Sequence, residues 1–166
     1  MKHPLGSAFA AMLALCSAGA GSAGAQTADI KTIVSVGGPP VVLNQNSQLN
    51  MAGVFMIGGS TSATVTQNGT NNATGVLQFG GTSNSATTMQ FGATNSATTL
   101  QTGSLLTVNN SVIGQGGTTA TASNSALAGQ VGGFNTSLIG QIGANNMAGV
   151  GQLGILNGST ILQQTP

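Results

Sequence analysis

Asn95-Ser96-Ala97-Thr98-Thr99-Leu100-Gln101-Thr102-Gly103 states a pattern that the rest of the chain repeats. Its skeleton is Asn-x-(Ala or Ser)-x-x-x-Gln-x-Gly. Toward the N-terminus the same spacing gives Asn84/Ala86/Gln90, Asn72/Thr74/Gln78, Thr61/Ala63/Gln67, and Asn50/Ala52 with Met56 in the Gln place. Toward the C-terminus it gives Asn109/Ser111/Gln115, Asn124/Ala126/Gln130, Asn135/Ser137/Gln141, Asn146/Ala148/Gln152 and Asn157/Ser159/Gln163. A glycine follows two residues after that place at Gly58, Gly69, Gly80, Gly92, Gly103, Gly117, Gly132, Gly143 and Gly154.

Successive Gln markers are mostly eleven residues apart, as from Gln67 to Gln78 and from Gln130 to Gln141 to Gln152. Where the interval lengthens, as from Gln101 to Gln115 and from Gln115 to Gln130, the added residues fall between the glycine and the next Asn. The Asn-to-Gln segment is therefore the structured part and the remainder is a connection. Self-similarity at a fixed short period is the mark of a solenoid rather than a compact mixed domain.

Side chains alternate faces along a strand, so Asn, the Ala or Ser two on, the residue four on and the Gln six on share one face. The member four on is Val54, Val65, Val76, Thr88, Thr99, Ile113, Ala128, Ile139, Val150 or Ile161. Small and β-branched residues between amides make a thin, close-packed interior, and the glycine supplies the backbone angles of a corner. A seven-residue strand is about 23 Å long. Two strands and two corners make a rung, and the ten copies stack as about five two-strand rungs roughly 4.8 Å apart. The expected fold is all-β, a flattened, amyloid-like β-solenoid. In that stack the Gln series (Gln67, Gln78, Gln90, Gln101, Gln115, Gln130, Gln141, Gln152, Gln163) and the Asn series (Asn50, Asn72, Asn84, Asn95, Asn109, Asn124, Asn135, Asn146, Asn157) form amide ladders along the axis. Asn before a strand also has a bland reading, as a turn residue that tolerates left-handed angles.

Met1 to Ala25 carries Lys2 and His3, an apolar run around Ala8 to Leu15, and small residues ending Ala23-Gly24-Ala25. Those features describe a secretory signal peptide, so the mature chain is expected to begin at Gln26. The run is too short to span a bilayer, and bulky Leu15 before Cys16 argues against lipidation. Three segments result: 1–25 as signal peptide, 26–44 as an N-terminal cap or export handle, and 45–166 as the repeat solenoid.

Cleavage would remove the single His, the single Cys and one of the two Lys, leaving Asp29 and Lys31 as the charged side chains. General acid-base catalysis, thiol nucleophiles and metal coordination draw on residue types that such a chain lacks, so no enzyme, no metal site and no cofactor are expected. One Lys is no basic patch for nucleic acid. Residues 26–44 read as an apolar stretch (Ile30, Ile33, Val34, Val36), a break at Gly37-Gly38-Pro39-Pro40, and a second stretch (Val41, Val42, Leu43). Two roles stay open for them, strands capping the first coil or an exposed handle used in export.

The skeleton, with Asn six before each Gln and Thr61 before Gln67, resembles the curlin repeat of bacterial curli subunits over residues 45–164. The resemblance implies a secreted functional amyloid, an extracellular cell-surface fibre subunit of biofilm matrix and adhesion. Self is the partner in the fibre, alongside a nucleator and an outer-membrane export channel. The last copy, Asn157 to Gln163, is an ordinary one, which fits a major structural subunit better than a nucleating one. Two other classes remain. An ice-binding solenoid would use a flat array of outward Thr such as Thr87/Thr88 and Thr98/Thr99, and a surface adhesin or coat protein would never polymerise.

Overall fold

A computed structural model describes residues 30–36, 41–46, 49–103, 107–117 and 122–165. The expected signal peptide and the Gly37–Pro40 break lie outside them. The described residues form twelve strands: β1 (Ile30–Val36), β2 (Val42–Asn46), β3 (Met51–Ile57), β4 (Ser60–Thr70), β5 (Ala73–Gly80), β6 (Ser83–Ala93), β7 (Asn95–Gly103), β8 (Val108–Gly116), β9 (Asn124–Gly132), β10 (Asn135–Ile142), β11 (Met147–Gly154) and β12 (Asn157–Gln164).

Odd-numbered strands build one six-stranded sheet in the order β1-β3-β5-β7-β9-β11, and even-numbered strands build the other, β12-β10-β8-β6-β4-β2. Every pairing is parallel and joins strands two apart in sequence, the connectivity of a solenoid with two strands per rung. Equivalent positions stack on equivalent positions. Asn84, Asn109, Asn135 and Asn157 fall in one row, and Gln90, Gln115, Gln141 and Gln163 in another. The repeat dictates this outcome, because a one-residue slip would turn every buried side chain to solvent.

The core is the thin layer between the two sheets. It divides into an N-terminal cluster around Ala52, Val54, Met56, Ala63, Val65 and Val76, and a C-terminal one around Ala97, Ile113, Ala126, Ala128, Ile139 and Val150. Ten copies supply β3 to β12 as five rungs. Strands β1 and β2 add a rung, with Ile30 opposite Met51 and Gln45 opposite Gln67. The repeat register therefore starts before residue 45. Lys31, Ile33 and Ser35 take the rows of Ala52, Val54 and Met56.

The corners differ from the sequence expectation in two respects. Seven of the nine glycines have positive φ, but Gly103 and Gly117 do not. Both precede the lengthened connections, and a Cβ on Gly117 would instead lie 2.8 Å from Cβ of Ala122. The left-handed residue before a strand is also not the marker Asn. It is the one preceding it: Leu49, Asn71, Thr94, Asn145 and Leu156, at φ of 55 to 62°.

Candidate functional site: amide ladders through the core

The even sheet carries an unbroken glutamine ladder. Gln45 Nε2 donates to Gln67 Oε1 at 2.8 Å, Gln67 to Gln90 at 2.8 Å, Gln90 to Gln115 at 2.8 Å, Gln115 to Gln141 at 2.8 Å and Gln141 to Gln163 at 2.7 Å. In the odd sheet the ladder runs from Gln78 to Gln101 (2.6 Å), Gln130 (2.8 Å) and Gln152 (2.8 Å). Met56 and Ser35 occupy the two rows below Gln78, so this ladder stops short of the N-terminal end.

The second N–H of each amide does work that the repeat alone did not foretell. Gln67 donates to Met51 O, Gln78 to Ser62 O, Gln90 to Ala73 O, Gln101 to Ser85 O and Gln115 to Ser96 O, at 2.9 to 3.1 Å. Each acceptor is the carbonyl just after the marker position of the preceding copy, on the opposite sheet. One hydrogen thus ties rungs along the axis, and the other ties the two sheets together. Because a carbonyl only accepts, the cross-sheet bond also fixes which way the amide faces, so every Gln donates toward the C-terminal end.

Asparagine ladders run the other way. Asn72 Nδ2 donates to Asn50 Oδ1 at 3.2 Å, Asn95 to Asn72 at 3.0 Å, Asn124 to Asn95 at 3.1 Å and Asn146 to Asn124 at 3.1 Å. In the other sheet Asn109 donates to Asn84, Asn135 to Asn109 and Asn157 to Asn135. The same nitrogens reach the corner: Asn95 to Phe91 O at 2.9 Å, Asn84 to Gly80 O at 2.7 Å and Asn146 to Ile142 O at 3.0 Å. Asparagine therefore serves both as ladder and as corner brace.

The marker Gln and Asn residues are buried, apart from Asn157 and Gln163 in the last rung, which are half-buried. Thr74, the atypical third residue of its copy, is drawn into the opposite ladder. It accepts from Gln67 Nε2 at 3.1 Å and donates to Gln90 Oε1 at 2.8 Å. The hydroxyls of Thr61, Thr88 and Thr99 are buried without a partner, as are Gln45 Oε1, Gln78 Oε1 and Asn50 Nδ2. The last three mark the N-terminal ends of the ladders.

The threonine array needed for ice binding does not form. Thr88 and Thr99 are buried, and the outer row of Thr98 runs through Gly75 and Leu127. Phe79 and Phe91 lie on different sheets. Phe79 contacts Phe55, with ring centroids 5.5 Å apart, and Phe91 borders a shallow apolar groove with Met89, Gly114, Ile142 and Leu162.

A family model of the curlin associated repeat matches residues 121–154. Residues 121–154 are a curlin-repeat segment. The match spans the copies led by Asn124, Asn135 and Asn146, and the same spacing, register and buried face run through the earlier strands. No curated protein and no solved structure matches the chain. Among the described residues no helix is long and apolar enough to cross a membrane.

Proposed function

We propose that this chain is the structural subunit of a secreted, curli-like amyloid fibre at the bacterial cell surface, built for biofilm matrix and adhesion rather than catalysis. The observation that carries the reading is the open stack. Among the described residues each sheet ends in strands paired on one side only, β1 and β11 in one and β12 and β2 in the other. Within the molecule every rung is covered by a near-copy of itself, so a further copy offers each end the same kind of partner. Unpaired strand edges template addition, and an end that repeats its own interior without closing on itself yields filaments.

Secretion rests on the Met1–Ala25 signal-like segment, and polymerisation on the ladders and open ends. A nucleating subunit and an outer-membrane channel are the expected partners, to be sought among the products of neighbouring genes. The purified chain should form thioflavin-positive fibres with a meridional reflection near ~4.8 Å. A chain that stays a soluble monomer at high concentration, or a cell surface bare of fibres by electron microscopy while the protein is displayed there, would favour the non-polymerising adhesin instead.

A further inference from the structure

The two ends of the solenoid are not alike, and their differences are complementary. At the N-terminal end Gln45 donates to Gln67 while its own Oε1 is buried without a partner. At the C-terminal end Gln163 accepts from Gln141 and donates to Met147 O at 2.9 Å. A carboxamide nitrogen carries two hydrogens, so Gln163 retains a donor facing the direction in which every Gln of this row donates. One end of the row closes on an unpartnered acceptor that the single chain covers, and the other on a donor.

The apolar rows agree. Following the observed pairings strand by strand, the row of Met147 runs through Ser125, Ser96, Ala73 and Met51 to Ile30, and the row of Leu153 runs through Val131, Thr102, Phe79 and Ile57 to Val36. Met147 is 77 % exposed and Leu153 81 %, and at the other end Ile33 is 50 % and Val36 56 % exposed. Continued by one rung, the same register would set Met147 on Ile30, Val150 on Ile33, Leu153 on Val36, Ile161 on Leu43 and Gln163 on Gln45 of a second copy.

We infer that fibre growth joins β11 and β12 of one copy to β1 and β2 of the next in this register, through a Gln163-to-Gln45 hydrogen bond, and that Lys31 is the brake on that joint. This rests on the fibre reading above and specifies its junction. Lys31 holds the inner-face position of Ala52 and, across the joint, would face Ala148. As an end residue it keeps its ammonium in water. Joined, that ammonium must be withdrawn from solvent into a row otherwise filled by Ala52, Thr74, Ala97, Ala126 and Ala148, which is costly for a charge. Inward-pointing charge on an edge is a recognised means of slowing edge-to-edge association. The N-terminal rung is thus both the docking surface and the step that limits growth.

Seeded elongation and site-directed cross-linking test the joint. In a Cys16→Ser background, Asn46→Cys with Gln164→Cys places the two thiols in one outer row across the junction. Within one molecule they stand at opposite ends of the stack, on the order of 24 Å apart, too far for a disulfide. Oxidised fibres of this pair should give a ladder of covalent multimers, whereas Asn46→Cys with Thr160→Cys, offset along the strand, should not. Lys31→Ala should elongate seeds several-fold faster and Gln45→Leu several-fold slower, with outward Asn44→Leu near the parent rate. If the parent chain forms fibres but the aligned cysteines do not cross-link, or Lys31→Ala and Gln45→Leu elongate at the parent rate, the junction is overturned while the fibre reading stands. If the parent chain forms no fibres, both fall.

Discussion

At the scale of the residue, the glutamine amide is the unit of cohesion. Gln101 accepts from Gln78, donates to Gln130 and donates to Ser85 O, so one side chain serves three groups besides its own. Replacing it with Leu removes all three bonds and leaves Gln130 Oε1 and one N–H of Gln78 without a partner, at about 1 to 3 kcal/mol each in a dry interior. Gln101→Leu should therefore lower the denaturant midpoint sharply and slow fibre growth, whereas Thr98→Leu on the outer face should change either little. Equal effects would remove the ladder as the source of stability. The orphaned threonine hydroxyls invert the argument. Thr88 and Thr99 are 0 % and 1 % exposed with no partner for Oγ1. Thr88→Val and Thr99→Val keep the shape and remove an unpaired polar group, so each should raise stability by about 1 kcal/mol in denaturant titration.

At the scale of the element, strands are interchangeable and corners are not. A strand position such as Gly151 has nothing within 4 Å of an added Cβ, so Gly151→Ala should fall within about 0.5 kcal/mol of the parent. Gly92 has φ of +95°, and a Cβ there would sit 2.6 Å from the carbonyl oxygen of Gly117 in the next rung. The positive angle and the stacked backbone act together, so Gly92→Ala should cost more than about 2 kcal/mol and disturb the rungs on either side. Thermal unfolding of the two variants checks both values. Corners therefore stack as closely as strands, and a glycine at one level is required by the carbonyl of another.

At the scale of the molecule, two ladder polarities run through one stack. Gln rows donate toward the C-terminal end and Asn rows toward the N-terminal end, so each rung receives bonds from both neighbours. Growth along the axis is the expected collective consequence, with the ~4.8 Å reflection as its signature. Among the described residues Lys31 is the sole charge, and it sits in the terminal rung. On the proposed fibre reading, the described interior offers no charge to slow stacking, and the brake on assembly would lie at that end.

The sequence by itself determined the solenoid class, the inner face and the rows of amides, because a strict repeat of small, β-branched and amide residues at period two permits one way of burying them. Every marker Gln could be assigned to the interior from its spacing to the next, and so could each marker Asn, beside its reading as a turn residue. Three features needed the folded chain. The first rung was hidden because Lys31, Ile33 and Ser35 keep the spacing of a copy but not its residue types, and parallel pairing with Met51–Ile57 can recruit them through backbone bonds that are blind to side chain. The left-handed residue fell one place before the marker Asn, since the Asn side chain was already committed to its ladder and its corner carbonyl. Which way the amides donate was set by cross-sheet carbonyls some sixteen residues earlier, such as Ser85 O for Gln101. That last contact exists only when two sheets face each other, and for that reason the tertiary structure, not the repeat, gave the stack its direction.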